Sequence, residues 1–191
     1  MPPFTPPTLA VGEYVLRPFR STDAAAWYAY LADPRVTEHT SWPPITSELV
    51  TTVVAKIIAD YDEPKSLRWA LARTQDDEAI GSCGFTRWQR EQRVAELVYD
   101  LAPAYWGLGL MSAAVRAAMA WAFGPGSFSR AEAFVMTTNE RSIALLERTG
   151  FRRERMLGGH RLARGVPRDF YLYSVVCRSC DVRHGLVRSD L

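Results

Sequence analysis

Ala95-Glu96-Leu97-Val98-Tyr99-Asp100-Leu101-Ala102-Pro103-Ala104-Tyr105-Trp106-Gly107-Leu108-Gly109-Leu110-Met111 is the stretch on which the reading of this chain turns. A strand-like run ending at Leu101 leads into a glycine turn, and from Leu110 to about Phe123 the residues Leu110, Ala114, Ala117, Ala118 and Trp121 recur at helical spacing. Glycine lets backbone approach a ligand closely, and the first N–H groups of a helix lack internal partners, so such a turn can hold an anion. The helix dipole adds roughly 0.3–1 kcal/mol for a nearby negative charge. The same pattern also describes an ordinary strand-to-helix turn. It is not a P-loop, because no Gly-Lys-Ser/Thr follows, and it lacks the third glycine of the dinucleotide fingerprint.

Working outward, Gly124-Pro125-Gly126 stops the helix, and a strand Ala131 to Met136, a helix Glu140 to Thr149 ended by Gly150, and strands near Phe151 to Met156 and Phe170 to Val176 follow. Upstream, Leu67 to Arg73, Ala79 to Trp88 and Arg93 to Leu101 read as an antiparallel meander. Before it come a strand Tyr14 to Phe19, a helix from an Asp23 N-cap through about Leu31, and a second helix opened by Ser47 and reaching about Tyr61. Asp33-Pro34 ends the first of these helices, and a loop with His39, Trp42, Pro43 and Pro44 joins the two, a plausible substrate lid. The order of elements predicts an α/β (mixed α+β) fold: a mostly antiparallel twisted sheet of about seven strands with helices on both faces.

Length and composition bound the rest. At 191 residues, one domain is expected, spanning 13–176, after a flexible proline-rich leader over 1–12 and before a C-terminal tail over 177–191. A net charge of +2 leaves no uniform field to draw DNA or an anionic membrane, so phosphate recognition must be local. The arginines at 152, 153, 155, 161, 164 and 168 therefore read as a solvated basic face before an RNA-binding one. With no apolar run near ~18 residues and no signal-like start, a cytoplasmic location is expected. Cys177 and Cys180 form a lone CxxC that His184 does not complete as a zinc site, so no metal is expected.

Tyr105-Trp106-Gly107-Leu108-Gly109, placed after a strand ending Tyr99-Asp100-Leu101, resembles the acetyl-CoA motif of the GNAT acetyltransferases. Asn139-Glu140-Arg141-Ser142-Ile143-Ala144-Leu145-Leu146-Glu147-Arg148-Thr149-Gly150-Phe151 resembles their next motif, in the right order and spacing. Leu16-Arg17-Pro18-Phe19 and Asp169 to Tyr173 also fit, and within the superfamily the chain is similar to the RimJ/RimL group of ribosomal-protein-alanine N-acetyltransferases. The resemblance implies the GNAT fold, in which two neighbouring strands of the sheet, a parallel pair, splay apart around the thioester. It implies acetyl-CoA as cosubstrate, no metal, and an amine acceptor that is a protein N-terminus or a small molecule, in a monomer or homodimer.

Carried over residue by residue, the resemblance places backbone groups near Tyr99 and Leu101 on the pantetheine arm and the amides of Trp106, Gly107, Leu108, Gly109 and Leu110 on the pyrophosphate. Ala104 stands where a long polar side chain is usual. Asn139 matches a CoA-contacting asparagine and reads equally as a helix N-cap. Leu146 occupies the place of the usual tyrosine acid, and Ser142 matches a serine that can donate a proton or a hydrogen bond to the departing sulfur. An α-amine with a pKa near 8 must lose a proton before attack. Glu96 is the candidate base, with burial expected to bring its pKa toward the working range, and it reads equally as a solvent-facing strand residue. His160 is a second candidate. His39 and Trp42 are expected to shape the acceptor pocket or simply to cover the core. A noncatalytic acyl-CoA-binding or interaction module of the same fold is the alternative reading, suggested by Leu146 and Ala104.

Overall fold

The computed structural model describes residues 5–61, 66–89, 91–163 and 165–177. They form an eight-stranded sheet in the order β1-β2-β3-β4-β5-β6-β8-β7 with helices on both faces. In chain order the elements are β1 (Leu9–Val11), β2 (Tyr14–Pro18), α1 (Asp23–Leu31), α2 (Pro34–Thr37), α3 (Ser47–Ala59), β3 (Leu67–Arg73), β4 (Ala79–Gln89) and β5 (Val94–Leu101). A single 3₁₀ turn (Pro103–Tyr105) follows, then α4 (Leu110–Phe123), β6 (Arg130–Met136), α5 (Glu140–Arg148), β7 (Arg152–Ala163) and β8 (Val166–Val176).

Every pairing is antiparallel except β5 with β6, the crossover pair joined by α4, as a parallel connection through a helix requires. That pair touches at only three positions, Val94↔Arg130, Ala95↔Ala131 and Glu96↔Glu132. Beyond Glu96 the strands part: β6 goes on pairing with β8 as far as Met136↔Phe170, and β5 with β4 as far as Leu101↔Gly81. The split predicted for the parallel pair thus begins at Glu96.

Alternation along the strands assigns the two faces. Trp69 of β3 and Phe85 of β4 meet Trp121 of α4, with ring centroids 5.3 and 6.5 Å away. Arg68, one residue earlier, sits on the opposite face with its guanidinium 4.8 Å from the Trp27 ring of α1. Glu96 and Asp100 of β5 share the α1 face, because Asp100 lies opposite Ser82, which accepts from Arg68. Leu97, Tyr99 and Leu101 share the α4 face.

The structure extends the predicted architecture in several places. The eighth strand, β1, lies inside the segment expected to be a flexible leader: Leu9–Val11 pairs with Tyr14–Leu16, and the Pro7 carbonyl accepts the Trp69 indole N–H at 2.8 Å. Three residues of pairing carry too little pattern to register in a sequence. β7 and β8 form one long hairpin and not two short strands, because most of β7 is exposed and shows no core-facing alternation. Asp23 is not the N-cap of α1 but its first residue: its carboxylate is buried against Arg17 at 2.8 Å while also accepting the Arg20 N–H at 2.8 Å. α3 opens at Ser47 as expected, capped by Thr46 through the Leu49 N–H, and ends at Ala59, short of Tyr61. Cys177 is buried; the rest of the predicted tail, with Cys180 and His184, lies outside the described residues, as do Arg164 and residues 1–4. Among the described residues no helix is long and apolar enough to cross a membrane.

Candidate active site

A cleft of about 1550 Å³ opens where β5 and β6 part. That exceeds the ~300–1,000 Å³ of a usual small-molecule pocket, as two ligands meeting in one site require. Its walls contain Glu96, Tyr99, Leu101, Trp106, Gly107, Gly109, Leu110, Asn139, Ser142, His39 and Trp42, so the fold brings together the candidate site residues read from sequence except Leu108 and His160. Leu108, at the tip of the glycine turn, points its side chain into solvent.

The turn is built for its backbone. Gly107 and Gly109 adopt φ of +80° and +73°, values an L side chain rarely takes, and an added Cβ would meet nothing within 4 Å at either. Conformation is therefore the reason for glycine here. Gly109 is the N-cap of α4 and no side chain caps that helix, so its first amides remain open toward the cleft. Around the turn, the Trp106 indole donates to the Leu101 carbonyl at 2.8 Å, and the Tyr105 hydroxyl accepts from Arg73 at 2.8 Å. One lone pair of the carbonyl expected on the pantetheine arm is thus already engaged. The Arg141 guanidinium lies 4.5 Å from the centre of the Trp106 ring, which places a cation at the same end of the cleft.

At the start of α5, Asn139 Oδ1 accepts the Ser142 N–H at 3.1 Å, so its capping role is real. Ser142 Oγ stands 2.5 Å from the Tyr99 hydroxyl, and burial pushes the Tyr99 phenol well above its usual value despite that hydrogen bond. Leu146 is buried and lines the cleft without a polar group.

On the other face of the sheet, the Glu96 side chain is only 8% exposed, which decides against a solvent-facing residue. Arg161 Nη2 of β7 lies 2.9 Å from Glu96 Oε1, and Arg87 Nε lies 3.5 Å from Oε2. Neither contact has hydrogen-bond geometry: Glu96 Oε2 and Arg161 Nη2 are both buried without a hydrogen-bond partner. Arg161 rests on the Phe134 ring at 4.5 Å, and His160 stacks on that ring at 5.0 Å. Burial first, then Arg161 and Arg87, hold the His160 imidazole below its ordinary pKa, but His160 does not line the cleft.

The lid closes the same end. His39 Nδ1 lies 3.3 Å from Thr138 Oγ1 across the cleft, and Trp42 packs edge-on against Trp27 at 5.9 Å while lining the cavity, so it both covers core and shapes the pocket. Trp27 and Tyr30 of α1 are tied to β5 through Asp100, which accepts from both, from Ser82 and from Arg68.

A strand, an open glycine turn at a helix start, a second helix capped by asparagine, and a split parallel pair between them are the parts of an acyl-CoA transferase. The model of the acetyltransferase (GNAT) domain matches residues 14–152. The chain belongs to the GNAT acetyltransferase family. Among its relatives, the uncharacterized N-acetyltransferases YoaA of Bacillus subtilis and p20 of Bacillus licheniformis are 30% and 32% identical to it, covering 89% and 90% of this chain and 97% of each relative. A solved structure of Mycobacterium smegmatis RimJ in complex with CoA-disulfide is 26% identical and superimposes with a TM-score of 0.83 over 94% of this chain and 91% of that one. The activity class of this GNAT member is therefore N-acetyl transfer.

Sequence reasoning missed the Tyr99 hydroxyl, Arg161 as the neighbour of Glu96, and Asp100 as the anchor of α1. Tyr99 was legible through alternation, since its side chain had to oppose Glu96 across the sheet. Arg161 had no local signal, because its place depends on the length of the β7–β8 hairpin.

Proposed function

We propose that this GNAT enzyme moves the acetyl group of acetyl-CoA onto the α-amine of an aminoacyl acceptor, such as a protein or peptide N-terminus, by direct attack in a ternary complex. The observation that carries this reading is the buried ion pair of Glu96 with Arg161 at the acceptor end of the cleft, in which Glu96 Oε2 and Arg161 Nη2 make no hydrogen bond. A buried acceptor and a buried donor left open ask for a ligand with the complementary donor and acceptor. An α-ammonium beside its carbonyl oxygen offers both; a simple alkyl amine leaves Arg161 Nη2 without a hydrogen bond.

In this reading the open amides from Trp106 to Leu110 grip the diphosphate, the pantetheine arm runs along the edge of β5 left free by β6, and the thioester lies in the split. The acceptor enters from the α1 face under the His39–Trp42 lid. Glu96 takes a proton from the ammonium, the free nitrogen attacks the carbonyl carbon, and the C–S bond breaks with its electron pair on sulfur. Ser142, from the α5 side, donates to that sulfur. Positioning of amine against thioester supplies much of the rate, alongside the acid and base.

Thiol release measured with a panel of amines, and mass spectrometry of the products, tests the assignment. Peptides with a free N-terminus should be acetylated at the α-amine, with kcat/KM at least about 10²-fold above alkyl amines, the penalty for leaving buried polar groups unpaired. Equal use of alkyl amines would overturn the acceptor class. Tight acetyl-CoA binding with no thiol release for any amine would favour the noncatalytic module, which the missing tyrosine at Leu146 and the alanine at Ala104 suggest.

A further inference from the structure

The side chain of Tyr99 is not needed for the backbone contact that its strand position implies, yet it is placed with care. Tyr99 projects from the stretch of β5 that is paired with β4 but no longer with β6, onto the α4 face, lines the cleft, and finds Ser142 Oγ at 2.5 Å as its hydrogen-bond partner. Ser142 is held from its own side by the Asn139 cap on its N–H, so both ends of the contact are fixed. The helix position from which a phenol is expected carries Leu146, so the phenol of this cleft comes from the strand instead.

Two hydroxyls share two protons, and one of those protons lies between the oxygens. A phenol is the more acidic partner and so the better donor; burial keeps it protonated throughout the working pH range. With Tyr99 donating, the serine oxygen is polarised and its own O–H is left free to turn into the cleft.

We propose that Tyr99 is a positioning residue for thioester cleavage: it orients and polarises the Ser142 hydroxyl, which then hydrogen-bonds the sulfur as the C–S bond breaks. The electron pair of that bond goes to sulfur, the proton that the ammonium loses before attack goes to Glu96, the second proton of the nitrogen goes to solvent as the tetrahedral adduct collapses, and the coenzyme leaves as a thiolate that gains its proton from solvent. No proton leaves Tyr99. This inference rests on the acetyl-transfer reading above.

A double-mutant cycle with Tyr99→Phe and Ser142→Ala, read as kcat and as KM for acetyl-CoA, tests it, with Ser142→Thr as the variant that keeps the hydroxyl. Tyr99→Phe should lower kcat roughly tenfold, the worth of one hydrogen bond of about 1–1.5 kcal/mol, and leave the KM for acetyl-CoA within about twofold. The same substitution should have almost no further effect on kcat in the Ser142→Ala background and its full effect in Ser142→Thr. Equal effects of Tyr99→Phe with and without the serine hydroxyl would overturn the inference, and so would an effect confined to KM. A wild-type protein that binds acetyl-CoA but releases no thiol with any amine overturns the acetyl-transfer reading and this inference with it. Normal turnover with additive variants overturns this inference alone.

Discussion

Removing Asp100 should be the most damaging single substitution near the site. Its carboxylate accepts from Ser82 at 2.7 Å, Tyr30 at 2.5 Å, Trp27 at 3.1 Å and from the Arg68 guanidinium, with 8% of the Asp100 and 12% of the Arg68 side chain exposed. Burial pushes the Tyr30 phenol well above its usual value, so it remains a donor at any working pH. In Asp100→Ala three neutral donors lose their acceptor and a buried guanidinium loses its counter-ion; breaking one side of such a pair costs about 3–5 kcal/mol. Arg68 keeps its hydrogen bond to Ser82 and its place over Trp27, which holds the cost to the lower part of that range. With a urea m-value of about 2 kcal/mol/M, a loss of about 3 kcal/mol moves the unfolding midpoint down by roughly 1.5 M with the slope unchanged. Tryptophan fluorescence in a urea series reads this directly. The pair Arg68→Met with Asp100→Leu should recover most of the loss, because the charge left behind is what costs. A shift under about 0.5 M for Asp100→Ala, or a double variant no better than the single one, would refute the reasoning.

Glu96→Gln keeps the shape of the side chain and removes its basicity; kcat for acetyl transfer should fall by about 10² or more, with acetyl-CoA affinity by calorimetry within about twofold. Gly109→Ala forces a Cβ onto a residue at φ +73° with free space around it, so about 1–2 kcal/mol of stability should be lost to backbone strain alone. The same variant should bind coenzyme A more weakly by calorimetry, and unchanged affinity would contradict a backbone grip on the diphosphate. Glu154 is held below the ordinary carboxylate range first by the Ser174 hydroxyl and then by Arg130. Its contribution is present above the pKa of the unfolded chain and is lost as pH falls through the lower folded value, so the urea midpoint should drop from pH 5 toward pH 3, and by less in Glu154→Gln, within that roughly two-unit window. Burial raises the Cys83 thiol to about 12, so mass-spectrometric mapping after alkylation at pH 8 should find Cys83 unmodified until the protein unfolds.

What the sequence made legible was what local pattern controls. The glycine turn, the period of α4, the Asn139 cap and the meander from Leu67 to Leu101 each follow from residue chemistry within a few positions, and the residues they carry line one cleft. What it hid depends on distance along the chain. Arg161 reaches Glu96 only because β7 extends past Met156, and its exposed strand has no apolar alternation to announce that length. Asp23 reads as a cap by local rules, but a buried partner six residues earlier, Arg17, pulled it into the core. β1 is three residues long and gains its place from β2, so no propensity of its own could mark it.

The register of β5 now carries a chemical meaning. Side chains along a strand alternate between the faces of its sheet, so Glu96 and Tyr99, three residues apart, must lie on opposite faces. The pairing with β6 ends at Glu96, so both faces meet through the gap that opens there. In the proposed reaction, Glu96 on one face and the Tyr99–Ser142 hydroxyl pair on the other would address the two ends of the same transfer: proton loss from the amine on the α1 side, charge on sulfur on the α5 side. A slip of one residue in the β4–β5 register would exchange the faces, burying Glu96 against α4 and turning Leu97 toward the acceptor. Gly81 opposes this slip, because a Cβ there would lie 2.8 Å from the Asp100 carbonyl oxygen; only glycine lets β4 and β5 close in the observed alignment. A packing constraint on the neighbouring strand thus helps fix which side of the sheet holds Glu96, the proposed base.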